Sequence, residues 1–221
     1  TFGVISGNFY EFDLTLLTAT LRGTVSDDGV PVSFTTNGRG GEQLALVSGQ
    51  FLYVLKLTTN VFTGPIILPV TNAPVMLAFL NGYGFLLEAN TIRVWFSALG
   101  NLASWSALDF FARSATGDNL IGLRVVGDRI WLFGSRTTEI FYDSGDKLTP
   151  FVPYPGSTIE AGAVSPWAIA QQGGALTWVS QDSQGSATVL ESTGGSPSVV
   201  SNPAIAFALE RYTTLADCET L

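Results

Sequence analysis

Four carboxylates, Asp109, Asp128, Glu139 and Glu160, fall within the stretch from Trp95 to Trp167 of this 221-residue chain. Two carboxyls held roughly 5 to 10 Å apart across a cleft can cleave a glycosidic bond, one as acid and the other as nucleophile or base. That is the only catalysis these residue types offer. Each acid also has a plainer reading as a turn residue or a strand-end ion pair, with Arg136 or Arg129 as the expected partner of Glu139. The chain has no His, which removes Ser-His-Asp and Cys-His catalysis and the common zinc sites. Cys218 is its only cysteine, so no intrachain disulfide and no Cys-rich metal site can form; a lone Cys reads as a small buried hydrophobe. Asp27-Asp28-Gly29 and Asp143-Ser144-Gly145-Asp146 read as turns, the latter with too few oxygen ligands over too short a span for an EF-hand loop. Asn37-Gly38-Arg39-Gly40-Gly41 lacks the order of residues that cradles a phosphate. The sequence thus assigns no catalytic residue, no metal ligand and no cofactor.

The elements that would position these residues are β-strands. Ile130 to Gly134 and Glu139 to Tyr142 are short apolar runs flanking Ser135-Arg136-Thr137-Thr138, a hairpin pattern. The first run is apolar on both faces, with Ile130 and Leu132 on one and Trp131 and Phe133 on the other, as in a strand covered on both sides. A local unit recurs along the chain: an apolar run, a Gly, then a second strand. With Gly7, Gly49, Gly82, Gly127 and Gly173 as anchors, the spacings are about 42, 33, 45 and 46 residues, the period of propeller blades. One blade cannot cover both its own faces, so stacked neighbours must do it. The fold expected is all-β, a β-propeller of four-stranded blades, with Gln50 to Leu57 and Val61 to Leu68 as strands of the second blade. Gly100-Asn101 is expected at a turn, with the Trp105 ring folding back over a hairpin. Asn202-Pro203 reads as an N-cap followed by Pro at the first helical position, so one short helix is expected near residues 203–211. Residues 1–221 are expected to form a single propeller domain or most of one, and the absence of an evident closing strand suggests a native protein that continues beyond 221.

Composition narrows the function. Charged residues are 13% and hydrophobic residues 46% of the chain, about half the usual charge for a globular protein. Such a balance implies that part of the surface is covered by other subunits. No run approaches the roughly 18 apolar residues of a membrane span, and the start lacks the basic and apolar regions of a signal peptide. Net charge is −8 and the basic residues are scattered singly, the opposite of a nucleic-acid-binding face. An acidic wall would instead let DNA slide past by like-charge repulsion.

One ordered series of motifs goes further. It comprises Trp105-Ser106-Ala107-Leu108-Asp109-Phe110, Asp118-Asn119-Leu120, Ile130-Trp131-Leu132-Phe133-Gly134, Thr137-Thr138-Glu139 and Tyr142. It continues with Phe151, Pro155-Gly156, Ile159-Glu160, Gly162, Pro166-Trp167 and Arg211-Tyr212-Thr213-Thr214. The series resembles the packaged-DNA stabilisation family of short-tailed bacteriophages, also called the tail hub or tail nozzle family, best over residues 81 to 215. The loops at Gly100 to Ala103 and Ser183 to Ser186 depart from the family's usual forms. The resemblance implies a propeller-based structural protein of the virion tail with no catalytic residues. Six copies would form a ring below the portal–adaptor ring, extend the DNA channel, hold a tail needle or tip protein, and retain the packaged genome. Trp105, Asp109, Phe110, Trp131, Arg136, Glu139, Glu160 and Trp167 are the candidates for packing or subunit contact. The alternative reading is a glycan-binding or glycan-cleaving β-propeller.

Overall fold

The computed structural model describes residues 1–220. Its sheets are antiparallel meanders of consecutive strands. The first has three, β1 (Phe2–Ile5), β2 (Asn8–Asp13) and β3 (Thr18–Thr24). The second has four, β4 (Ser33–Thr36), β5 (Gln43–Ser48), β6 (Phe51–Lys56) and β7 (Val61–Thr63). The third comprises β8 (Pro74–Leu80), β9 (Tyr83–Glu88), β10 (Arg93–Ala98) and β11 (Asn101–Ala112). The fourth comprises β12 (Leu120–Val126), β13 (Arg129–Gly134), β14 (Thr138–Asp143) and β15 (Phe151–Pro153). The fifth comprises β16 (Ile169–Gln172), β17 (Ala175–Gln181), β18 (Ala187–Ser192) and β19 (Ser198–Val199), and is followed by helix α1 (Pro203–Leu209).

Glycine sets the turns. Gly7, Gly49, Gly82, Gly127 and Gly173 all have positive φ, between 52° and 89°, and each lies in a tight turn between two paired strands, where a side chain would be strained. The short spacing of 33 residues has a structural cause. Gly49 joins the second and third strands of its sheet, whereas Gly82 joins the first and second of the next. The first sheet is in phase with the second: β1, β2 and β3 correspond to β5, β6 and β7, and no strand of the first sheet corresponds to β4.

Packing groups the residues into two compact units, one formed by Thr1–Leu86 with Trp95–Phe110, the other by Leu87–Val94 with the chain from Phe111 onward. Within the first unit, Phe9 of β2 is enclosed by Phe2, Phe34 and Phe62, at centroid distances of 5.8, 6.3 and 5.1 Å. A second core joins Ala45, Val47, Leu52 and Val54 of the second sheet to Leu77, Leu86, Trp95 and Leu102 of the third. Strands β5 and β6 alternate between these two clusters, Leu44 and Leu46 facing one and Ala45 and Val47 the other. Within the second unit, Trp131, Phe133 and Ile140 pack on Ile169, Leu176 and Trp178. The Trp178 ring meets Phe133 edge-on at 5.3 Å, and its Nε1 donates to the Gly162 carbonyl at 3.1 Å. All four side chains of Ile130–Phe133 are buried, and Trp131 and Phe133 face the fifth sheet.

Two expectations change in detail. The Val61 to Leu68 strand stops at Thr63, where Gly64-Pro65 interrupts the ladder because Pro has no N–H to donate; the Ile66 N–H still donates to the Leu52 carbonyl at 2.8 Å. Asn101 begins β11, a strand of 12 residues. Trp105 therefore sits inside a strand, its Nε1 donating to the Leu102 carbonyl at 2.8 Å while its ring packs against the core of the first unit. The helix forms where expected. Asn202 Oδ1 accepts from the Ile205 N–H at 2.9 Å as N-cap, and Pro203 takes the first turn.

Candidate functional site

The central acids do not converge on a cleft; they are distributed among cations and turns. Asp128 pairs with Arg129 at 3.1 Å on the turn between β12 and β13. The Arg129 guanidinium also stacks over the Tyr154 ring at 3.8 Å. Asp109 is half-buried on β11, and Glu160 is exposed in the segment after β15. Glu139 is turned into the protein, 2% exposed. Its partner is neither Arg136 nor Arg129. It is Arg113, whose side chain is fully buried at the end of β11 and whose Nε donates to Glu139 Oε1 at 3.0 Å.

Arg113 is the hub of a polar cluster in the second unit. Its Nη1 pairs with Asp118 Oδ1 at 3.0 Å, and its Nη2 donates to Thr137 Oγ1. Asp118 also accepts from the Thr137 hydroxyl at 2.8 Å and from the backbone N–H groups of Arg136 and Thr137 at 2.8 and 3.2 Å. Burial pushes the Asp118 carboxyl up, but the donors together win. The Arg136 N–H, the Thr137 and Thr116 hydroxyls and the Arg113 charge hold it at about 2. Glu139 further accepts from the Ser114 N–H at 3.3 Å. The cluster clamps the 113–118 segment onto the turn between β13 and β14. It needs a glycine at 134, because a Cβ there would occupy the positions of Arg113 Nη1 and an Asp118 oxygen.

Arg124 of β12 makes a second clamp. Its guanidinium donates to the carbonyls of Ile169 at 2.9 Å and Pro166 at 3.2 Å. Burial lowers it to about 10, which leaves it charged at neutral pH. In both clamps a cation is surrounded by carboxylate, hydroxyl or carbonyl acceptors of the fold.

The remaining sequence candidates lie in different settings. Trp131 is core. Phe110 is part-exposed, with its ring 5.2 Å from that of Trp95. Trp167 is half-buried, and its carbonyl accepts from the Thr220 N–H and hydroxyl at 2.9 and 3.0 Å. Arg136 projects from the β13–β14 turn into a groove of about 550 Å³ lined also by Ser135, Gln181, Asp182, Thr213 and Thr214. Glu160 lines an adjoining groove with Arg136 and Asp182. Asp27 and Asp28 accept from the N–H groups of Gly29 and Val30, and Asp143 and Asp146 cap their own loop in the same way, as turn residues do. Cys218 is half-buried beside Leu215, Ala168 and Val179. Arg113, Asp118 and Arg124 escaped the sequence reading as individual residues. The available signal was an arginine directly after the apolar Phe110-Phe111-Ala112, with an acid five residues on.

Comparison with known families places the chain. A family model described as Bacteriophage P22 Gp10, beta-propeller, matches residues 1–219. The search among curated proteins found no match. With nearly the whole chain covered, the protein belongs to this family of bacteriophage tail structural proteins, with a β-propeller fold and a place in the virion tail.

Proposed function

We propose, from membership of that family, that the protein forms a ring of six copies below the portal–adaptor ring of a phage tail. The ring extends the DNA channel, carries a needle or tip protein, and helps retain the packaged genome until ejection. Residues 1–221 contribute blades of one propeller domain in each copy. The observation that carries this reading is the family match over residues 1–219. The site chemistry agrees with it, because the buried cations are saturated with structural acceptors rather than aimed into a cleft. A net charge of −8 with scattered basic residues suits a channel wall past which DNA slides without adhering. Among the residues singled out by sequence, Arg136, Glu160 and Phe110 are exposed, and to these the reading assigns contacts with neighbouring subunits.

Light scattering tests the ring. The full-length protein, mixed with its portal–adaptor complex, is expected to add as a closed oligomer. A protein that stays monomeric in that mixture refutes the reading. Tight binding of duplex DNA at physiological salt would refute the non-adhering channel.

A further inference from the structure

The β2–β3 and β6–β7 turns are the same turn made twice. Asp13 pairs with Thr18, and Lys56 with Val61, so each turn spans four residues. The first reads Leu14-Thr15-Leu16-Leu17 and the second Leu57-Thr58-Thr59-Asn60. Their last residues share a left-handed backbone, φ 52° at Leu17 and φ 57° at Asn60. Asn tolerates that conformation and Leu does not. Every other non-glycine residue with positive φ among those described is polar: Ser6, Gln50, Asn60, Asn81 and Asn90. Leu17 alone is apolar. It is held there by a well-made turn, in which Asp13 Oδ1 accepts from the N–H groups of Thr15 and Leu16 at 2.8 and 2.9 Å.

The strained leucine is not filling a core. Leu14, Leu16 and Leu17 are 70%, 71% and 86% exposed. A rigid turn that carries three leucines into solvent, one of them in an unfavourable backbone, is shaped for an apolar seat on something else. Its surroundings argue against a lipid surface. The one charge at the tip is the anionic Asp13, and no basic residue lies within the turn to meet anionic headgroups. The chain carries a chemically matched surface elsewhere. Around β19 and α1, the side chains of Val199, Val200, Ile205, Phe207 and Tyr212 are all exposed. A knob and a patch of different composition can pair head to tail, the arrangement that generates rings when it closes, or reciprocally about a two-fold axis; the ring reading selects the first.

We propose that the β2–β3 tip is a docking knob for a second copy of this chain, seated on the apolar surface of that copy's β19 and α1. The proposal rests on the ring reading above and names its contact. The diagnostic variant is the double substitution Leu16→Thr and Leu17→Asn, which installs the second sheet's own turn. It relieves the backbone strain, so thermal stability should hold or rise, while association weakens by about a hundredfold or more. Phe207→Ser should weaken association from the other side. Sedimentation velocity on each variant, and on an equimolar mixture of the two, gives the decisive result. The mixture retains one intact knob and one intact patch, so it should form a 1:1 pair where neither variant associates alone. If either variant assembles like the wild type, the knob or its seat is wrong and the proposal falls, while the ring reading stands. If the wild type stays monomeric even with its adaptor complex, the ring reading falls and takes the proposal with it. If the wild type binds phosphatidylserine–phosphatidylcholine vesicles through these leucines and its oligomeric state ignores them, the knob belongs to a membrane and the proposal is overturned.

Discussion

Replacing Arg113 by Met keeps most of the side-chain volume and removes the charge on which two carboxylates depend. The Glu139 side chain is 2% exposed and that of Asp118 13%. Breaking a buried ion pair by deleting one partner costs about 3–5 kcal/mol, because the other charge stays buried without compensation. For a chain of this size, 1 kcal/mol moves the melting temperature by about 2–4 °C, so Arg113→Met should melt about 6–20 °C lower at pH 7. A second substitution tells lost packing from lost charge compensation. Replacing Glu139 by Leu in the same chain should recover much of the loss at pH 7, since an apolar pair leaves nothing charged behind and Asp118 keeps its own N–H and hydroxyl donors. Thermal unfolding of both variants followed by circular dichroism at pH 7 is sufficient. A drop of less than about 2 °C, or a double variant no more stable than Arg113→Met alone, would refute this account of the cluster.

Other consequences are simpler. Gly134→Ala should destabilise by about 1–3 kcal/mol through overpacking, because its methyl group would displace Arg113 or Asp118; urea titration measures it. Asp118, held at about 2 against its usual 3.8, gives stability that is present above about pH 4 and lost as pH falls through about 2. Asp118→Asn should therefore cost up to about 2 kcal/mol at pH 7, with the gap to wild type closing by pH 2 in acid unfolding curves. Asn202→Ala removes the N-cap of α1 and should cost about 0.5–2 kcal/mol, visible as faster amide exchange confined to residues 203–209.

Much of this architecture was legible because it is written locally. Alternation and glycine turns act over a few residues, so the β13–β14 hairpin, the five turn glycines and the capped helix could be read directly. The phase of the second sheet could not, because the link between β4 and β5 is a longer loop without the compact two-residue glycine turn used elsewhere. The charge network was hidden for a related reason. Arg136 and Arg129 are near Glu139 in sequence, but one projects outward from a turn and the other stacks on Tyr154. The true partner, Arg113, is 26 residues away and is brought in by the path of β11, which sequence spacing does not reveal. Exposed knobs are harder still, since a leucine at positive φ looks like any other leucine until its backbone is known.

The order of strands within the sheets has a consequence for how the protein is made. In every sheet each strand pairs with the one before it and the one after it in sequence. No pairing waits for a distant segment, so loop closure costs little and each sheet can form soon after its last strand leaves the ribosome. What remains slow is the stacking of one finished sheet on the next, which covers faces as apolar as that of Trp131, Phe133 and Ile140. During that interval the nascent chain is a row of half-covered blades, and its main hazard is accepting a blade from a neighbouring chain in place of its own.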